Sequence, residues 1–178
     1  MATIDANRES AILGGGCFWC VEAVYMRVDG IKSAVSGYAG GNKPDPSYEE
    51  VCVGNTGHAE VVKVEFEPQI ISYAEILEIF FMAHDPTSEN RQGHDTGTQY
   101  RSIILFENED QRQVARHVLS QAQAHHKDRI VTEITPLDVF YKAEVYHQDY
   151  YKNHPQAGYC RSVIAPKLKK LKAKGTIA

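Results

Sequence analysis

The feature that most constrains this 178-residue chain is the run GGGCFWC at residues 14–20. Three glycines follow an apolar stretch at residues 11–13, and two cysteines then flank the only tryptophan of the chain. Glycine permits backbone conformations and close approaches that a side chain would block. Residues 21–26 contain no helix breaker. The pattern therefore predicts a strand that turns into the N-terminus of a helix at Cys17.

A thiol at such a turn is a candidate nucleophile. The unpaired N–H groups and the dipole of a helix N-terminus favour negative charge, so we expect Cys17 to lose its proton near neutral pH. Phe18 and Trp19 would place two aromatic rings beside that thiolate. The alternative is a tight turn with buried, unreactive cysteines, and this stretch alone indicates no reaction.

Composition and charge exclude whole classes of protein. With 43% apolar and 24% charged residues, the chain is neither disordered nor a membrane protein by composition. A net charge of −4 argues against a nucleic-acid partner held through phosphates, and the lysines of residues 167–174 fit the solvated face of a C-terminal amphipathic helix. No apolar run is long enough to span a membrane and no export signal is recognised, so a cytoplasmic location is expected.

The four cysteines point to redox chemistry or catalysis, because thiols stay reduced in the cytoplasm. Only one C-x-x-C pair is present, Cys17 with Cys20. Cys52 and Cys160 are isolated in the sequence and do not form a second pair. That spacing argues against a zinc site, so neither a metal nor a cofactor is predicted. Cys52 is expected to be an inert thiol of the core.

Strands and helices alternate without an internal repeat or a linker, which predicts one domain with a mixed sheet packed against helices. The predicted strands cover residues 10–13, 31–38, 58–66 and 100–106, with extended segments at 130–135 and 139–141. The predicted helices cover residues 17–27, 48–53, 72–85, 108–127 and 163–172. Residues 85–99 are predicted as a long polar loop, and residues 146–151 as a short helix or an ordered aromatic loop.

The clearest strand, residues 58–66, carries the best partner for Cys17. Its alternation places Glu60 on the same apolar face as Val62, Val64 and Phe66. A carboxyl group in apolar surroundings has a raised pKa and can act as an acid near neutral pH. An exposed strand glutamate is the alternative.

Other candidates have weaker signals. Asp95 lies in a glycine-rich loop, where a carboxylate more often caps a turn than belongs to a functional site. Tyr48 and Tyr100 offer hydroxyl donors, although most of the ten tyrosines must serve packing. The histidines show no metal-ligand spacing, so structural roles are predicted for His58, His84, His94 and His147.

Taken together, five blocks of sequence closely resemble the A-type peptide-methionine sulfoxide reductase family. The resemblance extends from about Ser10 to Cys160, and the blocks are residues 14–19 (GGGCFW), 37–41 (GYAGG), 56–60 (TGHAE), 84–86 (HDP) and 97–102 (GTQYRS). It implies an α+β two-layer sandwich, a ferredoxin-like plait in which a mixed β-sheet packs against helices. It also implies a single domain over residues 1–178, with a catalytic core at about 10–160 and a helical tail at 161–178.

The activity that the resemblance implies is reduction of the S epimer of methionine sulfoxide, free or in proteins, as a repair of oxidative damage. Cys17 matches the family's nucleophile, Glu60 its acid, and Asp95 a loop acid that orders the site. Tyr48 and Tyr100 match its hydroxyl donors to the sulfoxide oxygen, and Phe18 and Trp19 the apolar wall for the substrate methyl group. A sulfoxide oxygen leaves only when protonated, so a thiol needs such an acid nearby.

Attack of Cys17 on the sulfoxide would leave a sulfenic acid on Cys17. A second thiol would then condense with this sulfenic acid to form a disulfide. The resemblance implies reduction of that disulfide by thioredoxin. Both Cys160 and Cys20 are candidates for the second thiol. Cys160 is preferred here, because a mobile segment can approach without straining a helical turn.

Two other functions stay open at this point. A C-x-x-C thiol–disulfide oxidoreductase would use Cys17 and Cys20 and be indifferent to Glu60. A non-enzymatic methionine-sulfoxide-binding or redox-sensing module would keep the pocket without turnover. A monomer is expected, since no interface stripe stands out.

Overall fold

A computed structural model of the chain describes residues 8–178. The first seven residues of the predicted domain lie outside the described residues. The strands are β1 (Glu9–Gly14), β2 (Ile31–Ala39), β3 (Ala59–Phe66), β4 (Arg91–Gln92), β5 (Asp95–Thr96), β6 (Ile103–Phe106), β7 (Glu133–Pro136) and β8 (Tyr141–Lys142). The α-helices are α1 (Phe18–Tyr25), α2 (Tyr48–Val53), α3 (Tyr73–Ala83), α4 (Glu109–Gln123), α5 (Tyr150–Asn153) and α6 (Ala165–Ala173). Short 3₁₀ turns cover Thr98–Tyr100 and Val145–His147, and a π-helical turn covers Cys160–Ile164.

Six of these strands form one sheet in the order β7-β6-β1-β3-β2-β8. All neighbouring pairs are antiparallel except β6 and β7, which are parallel. The predicted mixed sheet packed against helices is therefore confirmed. The strand β3 lies in the middle of this sheet between β1 and β2, where Glu60 pairs with Tyr38.

The two faces of the sheet carry cores of different size. Alternate residues of β1 show this division, because Ala11 and Leu13 join the large core under the helices while Ile12 points to the opposite face. On that opposite face a small cluster packs beneath Leu137 and Phe140. Because both faces are covered, the middle of β3 is buried on both sides.

The helices begin where the sequence predicts. Ser72 accepts a hydrogen bond from the Glu75 backbone N–H, and Asn108 caps α4 in the same way. At α2, Ser47 and Glu50 form a reciprocal capping box that the sequence analysis did not identify. Such caps satisfy N–H groups that have no partner within the helix.

Three segments differ from the predictions in detail. The strand predicted at 100–106 begins only at Ile103, after the 3₁₀ turn Thr98–Tyr100. The predicted loop at residues 85–99 contains a small hairpin of β4 and β5, with Asn90 and Gly93 at positive φ. Two-residue strands carry too little hydrophobic pattern to be detected from sequence. Residues 146–151 combine both predicted possibilities, since a 3₁₀ turn is followed by the four-residue helix α5.

The C-terminal helix α6 packs into the large core. Leu168, Leu171 and Ile177 are buried in the same cluster as β1 and α1. Lys169, Lys170 and Lys172 are exposed, as predicted for an amphipathic helix, whereas Lys167 is half-buried. Across residues 8–178, none of the helices combines the length and the apolar character that crossing a membrane requires.

Candidate active site

The glycine turn delivers Cys17 to the N-cap of α1, as predicted. β1 ends at Gly14, and Cys17 has extended backbone angles with the helix beginning at Phe18. Gly16 has a φ of +92°, and a Cβ there would meet the Gln92 side chain at 2.6 Å. A side chain at this position would therefore be both strained and crowded.

Glu60 lies beneath this helix N-terminus. Its side chain is 1% exposed, and the Phe18 backbone N–H donates to Glu60 Oε1 over 3.1 Å. Burial, more than any neighbouring charge, raises the pKa of Glu60 to about 8. The carboxyl group is consequently neutral at pH 7 and able to donate a proton. The strand register read from the sequence is confirmed.

Cys17 is also buried, and this contradicts its expected low pKa. Burial, a hydrogen bond with Cys20 and the charge of Glu60 together raise the pKa of Cys17 well above its usual value. The helix N-terminus lowers the thiol pKa only through the Trp19 backbone N–H, which is a smaller effect. Loss of hydration therefore outweighs the helix N-terminus in the free protein.

Cys20 has the opposite shift. The hydrogen bond with Cys17, and then the positive charge of Lys167, lower the pKa of Cys20 to about 7. In this coupled pair Cys17 is therefore the thiol that donates, and Cys20 is the sulfur that ionises first.

Aromatic rings surround the entrance of the site. The Trp19 indole stacks on Tyr150, with ring centroids 3.7 Å apart and planes 7° from parallel. Phe18 lies 5.0 Å from the His147 ring and 6.5 Å from the Tyr48 ring, which it faces nearly in parallel. These rings pack against one another beside Cys17, and the role of Phe18 and Trp19 toward a substrate stays a prediction.

The predicted hydroxyl donors Tyr48 and Tyr100 lie near enough to Glu60 and to each other for their charges to interact. Burial raises the pKa of both phenols. A hydrogen bond with Cys52 and then the charge of Cys52 raise the pKa of Tyr48 further, and the charge of Glu60 raises that of Tyr100. Tyr100 also experiences the charge of Cys17. Both hydroxyls therefore keep their protons at neutral pH, and that of Tyr48 is hydrogen-bonded to Cys52 in this structure.

Asp95 connects to the site indirectly. Its carboxylate accepts a hydrogen bond of 2.6 Å from the Tyr159 hydroxyl, and that hydroxyl lies 3.6 Å from Cys20 Sγ. Asp95 thus joins the β4–β5 hairpin to the C-terminal segment next to the cysteine pair. This contact fits a residue that orders the site.

The other two cysteines occupy different surroundings from those expected. Cys160 is fully buried inside the π-helical turn, and burial, followed by the charge of Cys20, raises its pKa. Cys52 is exposed next to the Tyr48 hydroxyl, so its predicted place in the core is wrong. On the short helix α2, Val51 and not Cys52 faces the core.

His147 is a site residue that the sequence analysis did not identify as functional. It is 1% exposed, and its Nδ1 accepts a hydrogen bond of 3.0 Å from Trp19 Nε1. The neutral ring must therefore carry its proton on Nε2, which has no hydrogen-bond partner in the described part of the chain. A single histidine far from the cysteines in sequence forms no recognisable motif. The only sequence feature that could have indicated a role for His147 is the group of aromatic residues next to it.

The remaining histidines with predicted structural roles divide as follows. His58 accepts from the Gly41 backbone N–H and donates to the Lys43 carbonyl oxygen, and His84 bonds Ser102 and the Phe80 carbonyl. His94 is exposed at the tip of the β4–β5 hairpin. Within residues 8–178 no group of three His, Cys, Asp or Glu side chains could hold a metal ion.

A groove of about 1110 Å³ lies between α3, α4 and α6. Its lining includes neither Cys17 nor Glu60. The chemistry of the thiol and the buried carboxyl group, and not cavity size, therefore locates the candidate site.

Known proteins that resemble this chain agree with one another. The family described as peptide methionine sulfoxide reductase matches residues 9–177. Peptide methionine sulfoxide reductase MsrA of Saccharolobus solfataricus is 57% identical over 162 residues, which cover 91% of this chain and 92% of that protein.

Solved structures give the same result. Mxr1 from Saccharomyces cerevisiae in reduced form has a TM-score of 0.83 at 36% identity, over 88% of this chain and 91% of that one. Mxr1 in complex with Trx2 has a TM-score of 0.60 at 24% identity, over 84% and 89% of the two chains, and at that identity the likeness bears on the fold alone.

Proposed function

The chain belongs to the peptide methionine sulfoxide reductase family, and on that premise we propose that it reduces the S epimer of methionine sulfoxide to methionine. The substrate is free methionine sulfoxide or an oxidised residue in a protein, and the biological role is repair after oxidative stress. The observation that carries this proposal is the neutral, buried carboxyl group of Glu60 at the helix N-terminus that holds Cys17.

Binding of the substrate uses the aromatic wall and the hydroxyl groups. Phe18 and Trp19 contact the methyl group of the sulfoxide, and an apolar wall favours this methyl over a polar substituent. Tyr48 and Tyr100 donate hydrogen bonds to the sulfoxide oxygen, while Asp95 holds the hairpin against Tyr159. Hydrogen-bond donors fixed in advance stabilise charge on that oxygen as the reaction proceeds.

The reductive step needs one thiol and one acid. The Cys17 sulfur attacks the sulfoxide sulfur while Glu60 gives its proton to the oxygen, and the resulting carboxylate accepts the thiol proton of Cys17. The hydroxyl group then passes to Cys17, the bond between the two sulfurs breaks and methionine leaves. Cys17 is oxidised by two electrons to a sulfenic acid, and the substrate sulfur is reduced by two.

Cys20 is the thiol that condenses with the sulfenic acid in our proposal, in place of the Cys160 preferred from sequence. Cys20 is hydrogen-bonded to Cys17 and ionises near neutral pH. Cys160 is buried within a helical segment, and the charge that it experiences comes from Cys20, not from Cys17. These contacts favour Cys20 as the first partner.

A dithiol protein of the thioredoxin type then reduces the Cys17–Cys20 disulfide. The basis for this choice is that Mxr1, a relative at 36% identity, has been solved in complex with Trx2. We further propose a monomer without a nucleic-acid or membrane partner, located in the cytoplasm. The net charge of −4 supports the lack of a nucleic-acid partner, and the cysteine content supports the location.

We also propose that the core is a ferredoxin-like plait with residues 10–160 as its catalytic part. The order β6-β1-β3-β2 with all pairs antiparallel supports this, because it joins the units β1-α1-β2 and β3-α3-β6 in the split βαβ manner. The helical tail at 161–178 shares the core with these units.

The decisive experiment supplies separated S and R epimers of methionine sulfoxide together with a complete thioredoxin system. We expect methionine from the S epimer only, measured by chromatography and by NADPH oxidation. Cys17→Ser should abolish turnover, and Cys52→Ser, which removes an exposed thiol, should retain it. Turnover by Cys17→Ser, or reduction of protein disulfides without sulfoxide reduction, would contradict the proposal, and the latter result would favour a thiol–disulfide oxidoreductase.

A further inference from the structure

Lys167 differs from the neighbouring lysines of α6. It is half-buried, whereas Lys169 and Lys170 are exposed. Across residues 8–178, no carboxylate lies within 4.0 Å of its ammonium group. Its side chain also lines the large groove, whose acidic residues Glu78, Asp85 and Asp128 lie beyond that distance. The position of Lys167 between this groove and the cysteine pair therefore calls for an explanation.

The environment of its side chain supplies one. Lys167 and Cys20 line the same small cavity between α1, α3 and α6. The other walls are largely apolar, and His84 is the remaining basic group among them. Burial lowers the pKa of His84 to about 4, so that ring is neutral at pH 7. Cys20 is therefore the group on this wall that can carry negative charge opposite the ammonium.

We propose that Lys167 is a positioning residue for the second half of the reaction, in which its ammonium group stabilises the Cys20 thiolate for attack on the oxidised Cys17. This inference rests on the proposed function, because it requires a sulfenic acid on Cys17. The Cys20 thiolate attacks the sulfenic sulfur of Cys17, and the disulfide bond forms as the S–O bond breaks. The hydroxide that leaves takes up a proton and becomes water. The sulfenic sulfur is reduced as the thiolate sulfur is oxidised, so no external oxidant is needed.

Oxidation of Cys17 removes the group that stabilises the Cys20 thiolate in the reduced protein, and this makes Lys167 necessary. In the reduced protein, the hydrogen bond from Cys17 is the largest stabiliser of the Cys20 thiolate. That thiol is consumed when Cys17 is oxidised. Tyr159 cannot replace it, because its single proton is engaged in the shorter hydrogen bond to Asp95, at 2.6 Å against 3.6 Å to Cys20. Lys167 then remains as the group whose positive charge stabilises the Cys20 thiolate.

The other ionisable groups around Cys20 come from several elements that pack against it. They are Cys17 and Tyr25 on either side of it in sequence, Glu60 on β3, His84 after α3, Asp95 on β5, and Tyr159 and Cys160 in the C-terminal segment. Burial raises the pKa of the Tyr25 phenol, so that group is neutral. Glu60 and His84 are neutral at pH 7, and Asp95 opposes ionisation of Cys20. Among these groups none supplies a second positive charge.

The test is a single turnover of reduced protein with the S epimer, quenched at successive times. Methionine reports the first step. The tryptic peptide spanning residues 9–27, alkylated or internally disulfide-bonded, reports the Cys17–Cys20 bond by mass spectrometry. Lys167→Met keeps the alkyl stem without the charge, Lys167→Arg keeps the charge, and Lys169→Met is a matched control on the exposed face.

We expect Lys167→Met to form methionine at the wild-type rate and to form the disulfide about fivefold more slowly at pH 7. This deficit should shrink at pH 9, where Cys20 ionises without help, and Lys167→Arg should restore the rate. Wild-type disulfide formation in Lys167→Met, equal slowing of both steps, or a Cys17–Cys160 link as the first product would each overturn the inference. Failure of the wild-type protein to form any methionine would instead contradict the proposed function.

Discussion

At the scale of the residue, burial decides the charge of the groups that react. Burial raises the pKa of Glu60 to about 8 and also raises that of Cys17, so both groups are neutral at pH 7 in the free protein. A neutral acid suits a sulfoxide, whose oxygen must gain a proton. The neutral thiol is protected from unwanted oxidation, because the thiolate is the reactive form.

Replacing Glu60 by glutamine should separate catalysis from folding. Glu60→Gln keeps the shape and removes the transferable proton, so we expect turnover of the S epimer to fall by about 10²- to 10³-fold. The matched control Glu78→Gln changes an exposed glutamate on α3 and should leave turnover unchanged. Steady-state kinetics at pH 7 measure the effect. Activity in Glu60→Gln within tenfold of wild type would remove Glu60 from the mechanism.

The same variant should change the pH dependence of stability. An acid whose pKa is higher in the folded than in the unfolded state binds more protons when folded, so stability decreases as pH rises from about 4.5 to about 8. Glu60→Gln removes this contribution. We expect its free energy of unfolding, measured in urea, to decrease less between pH 6 and pH 9 than that of the wild type.

Residue roles could be predicted from sequence where they depend on local pattern. The alternation along β3 was sufficient to predict that Glu60 is buried. The charge state of Cys17 and the exposure of Cys52 depend on which distant side chains pack around them, and no local pattern records this. The same holds for His147, which meets Trp19 from 128 positions along the chain.

At the scale of the element, the turn between β1 and α1 determines where the nucleophile lies. Gly14 lies against the Glu60 carbonyl oxygen, which a Cβ would approach to 2.7 Å. Gly16 adopts a φ of +92°. The close approach and the positive φ together bring Cys17 onto the helix N-terminus above Glu60.

Substitution of Gly16 by alanine should therefore destabilise the protein. We expect Gly16→Ala to lower the free energy of unfolding by about 1–3 kcal/mol, from strain at positive φ and contact with Gln92. Gly158→Ala is the control, because that glycine has no positive φ and no atom within 4 Å of an added Cβ. Urea denaturation compares the two. Equal stability of both variants would mean that the turn tolerates a side chain.

Elements with a strong periodic pattern were predicted well, and those held by a few contacts were not. The helices predicted at 72–85 and 108–127 correspond to α3 and α4, which Ser72 and Asn108 cap. The β4–β5 hairpin escaped prediction because it depends on positive φ at Asn90 and on long-range contacts such as that between Gln92 and Asp85. Tertiary contacts stabilise such short strands more than their own sequence does.

At the scale of the whole molecule, the C-terminal helix is part of the fold that supports the site. Leu168 and Leu171 on α6 are buried in the core that also contains Cys20 and Phe80. The last backbone N–H, of Ala178, donates to the Arg27 carbonyl oxygen just after α1. Loss of packing on α6 should therefore affect the entire domain.

Leu171→Ala tests this expectation. Removal of the buried side chain should lower the free energy of unfolding by about 2–5 kcal/mol in a single cooperative transition. Lys172→Ala, at the next and exposed position, should change it by less than about 0.5 kcal/mol. Circular dichroism and activity, followed together in urea, provide the measurement. An early, separate loss of helix signal in the wild type would show that α6 unfolds independently.

The stacking of Trp19 on Tyr150 has a consequence for how this molecule can be observed. Because the chain contains no other tryptophan, its indole emission comes entirely from the wall of the candidate site. That indole also donates to His147, so a ligand that displaces either ring changes the polarity around the fluorophore. The protein thus contains an intrinsic fluorescent reporter two positions along the chain from the proposed nucleophile Cys17.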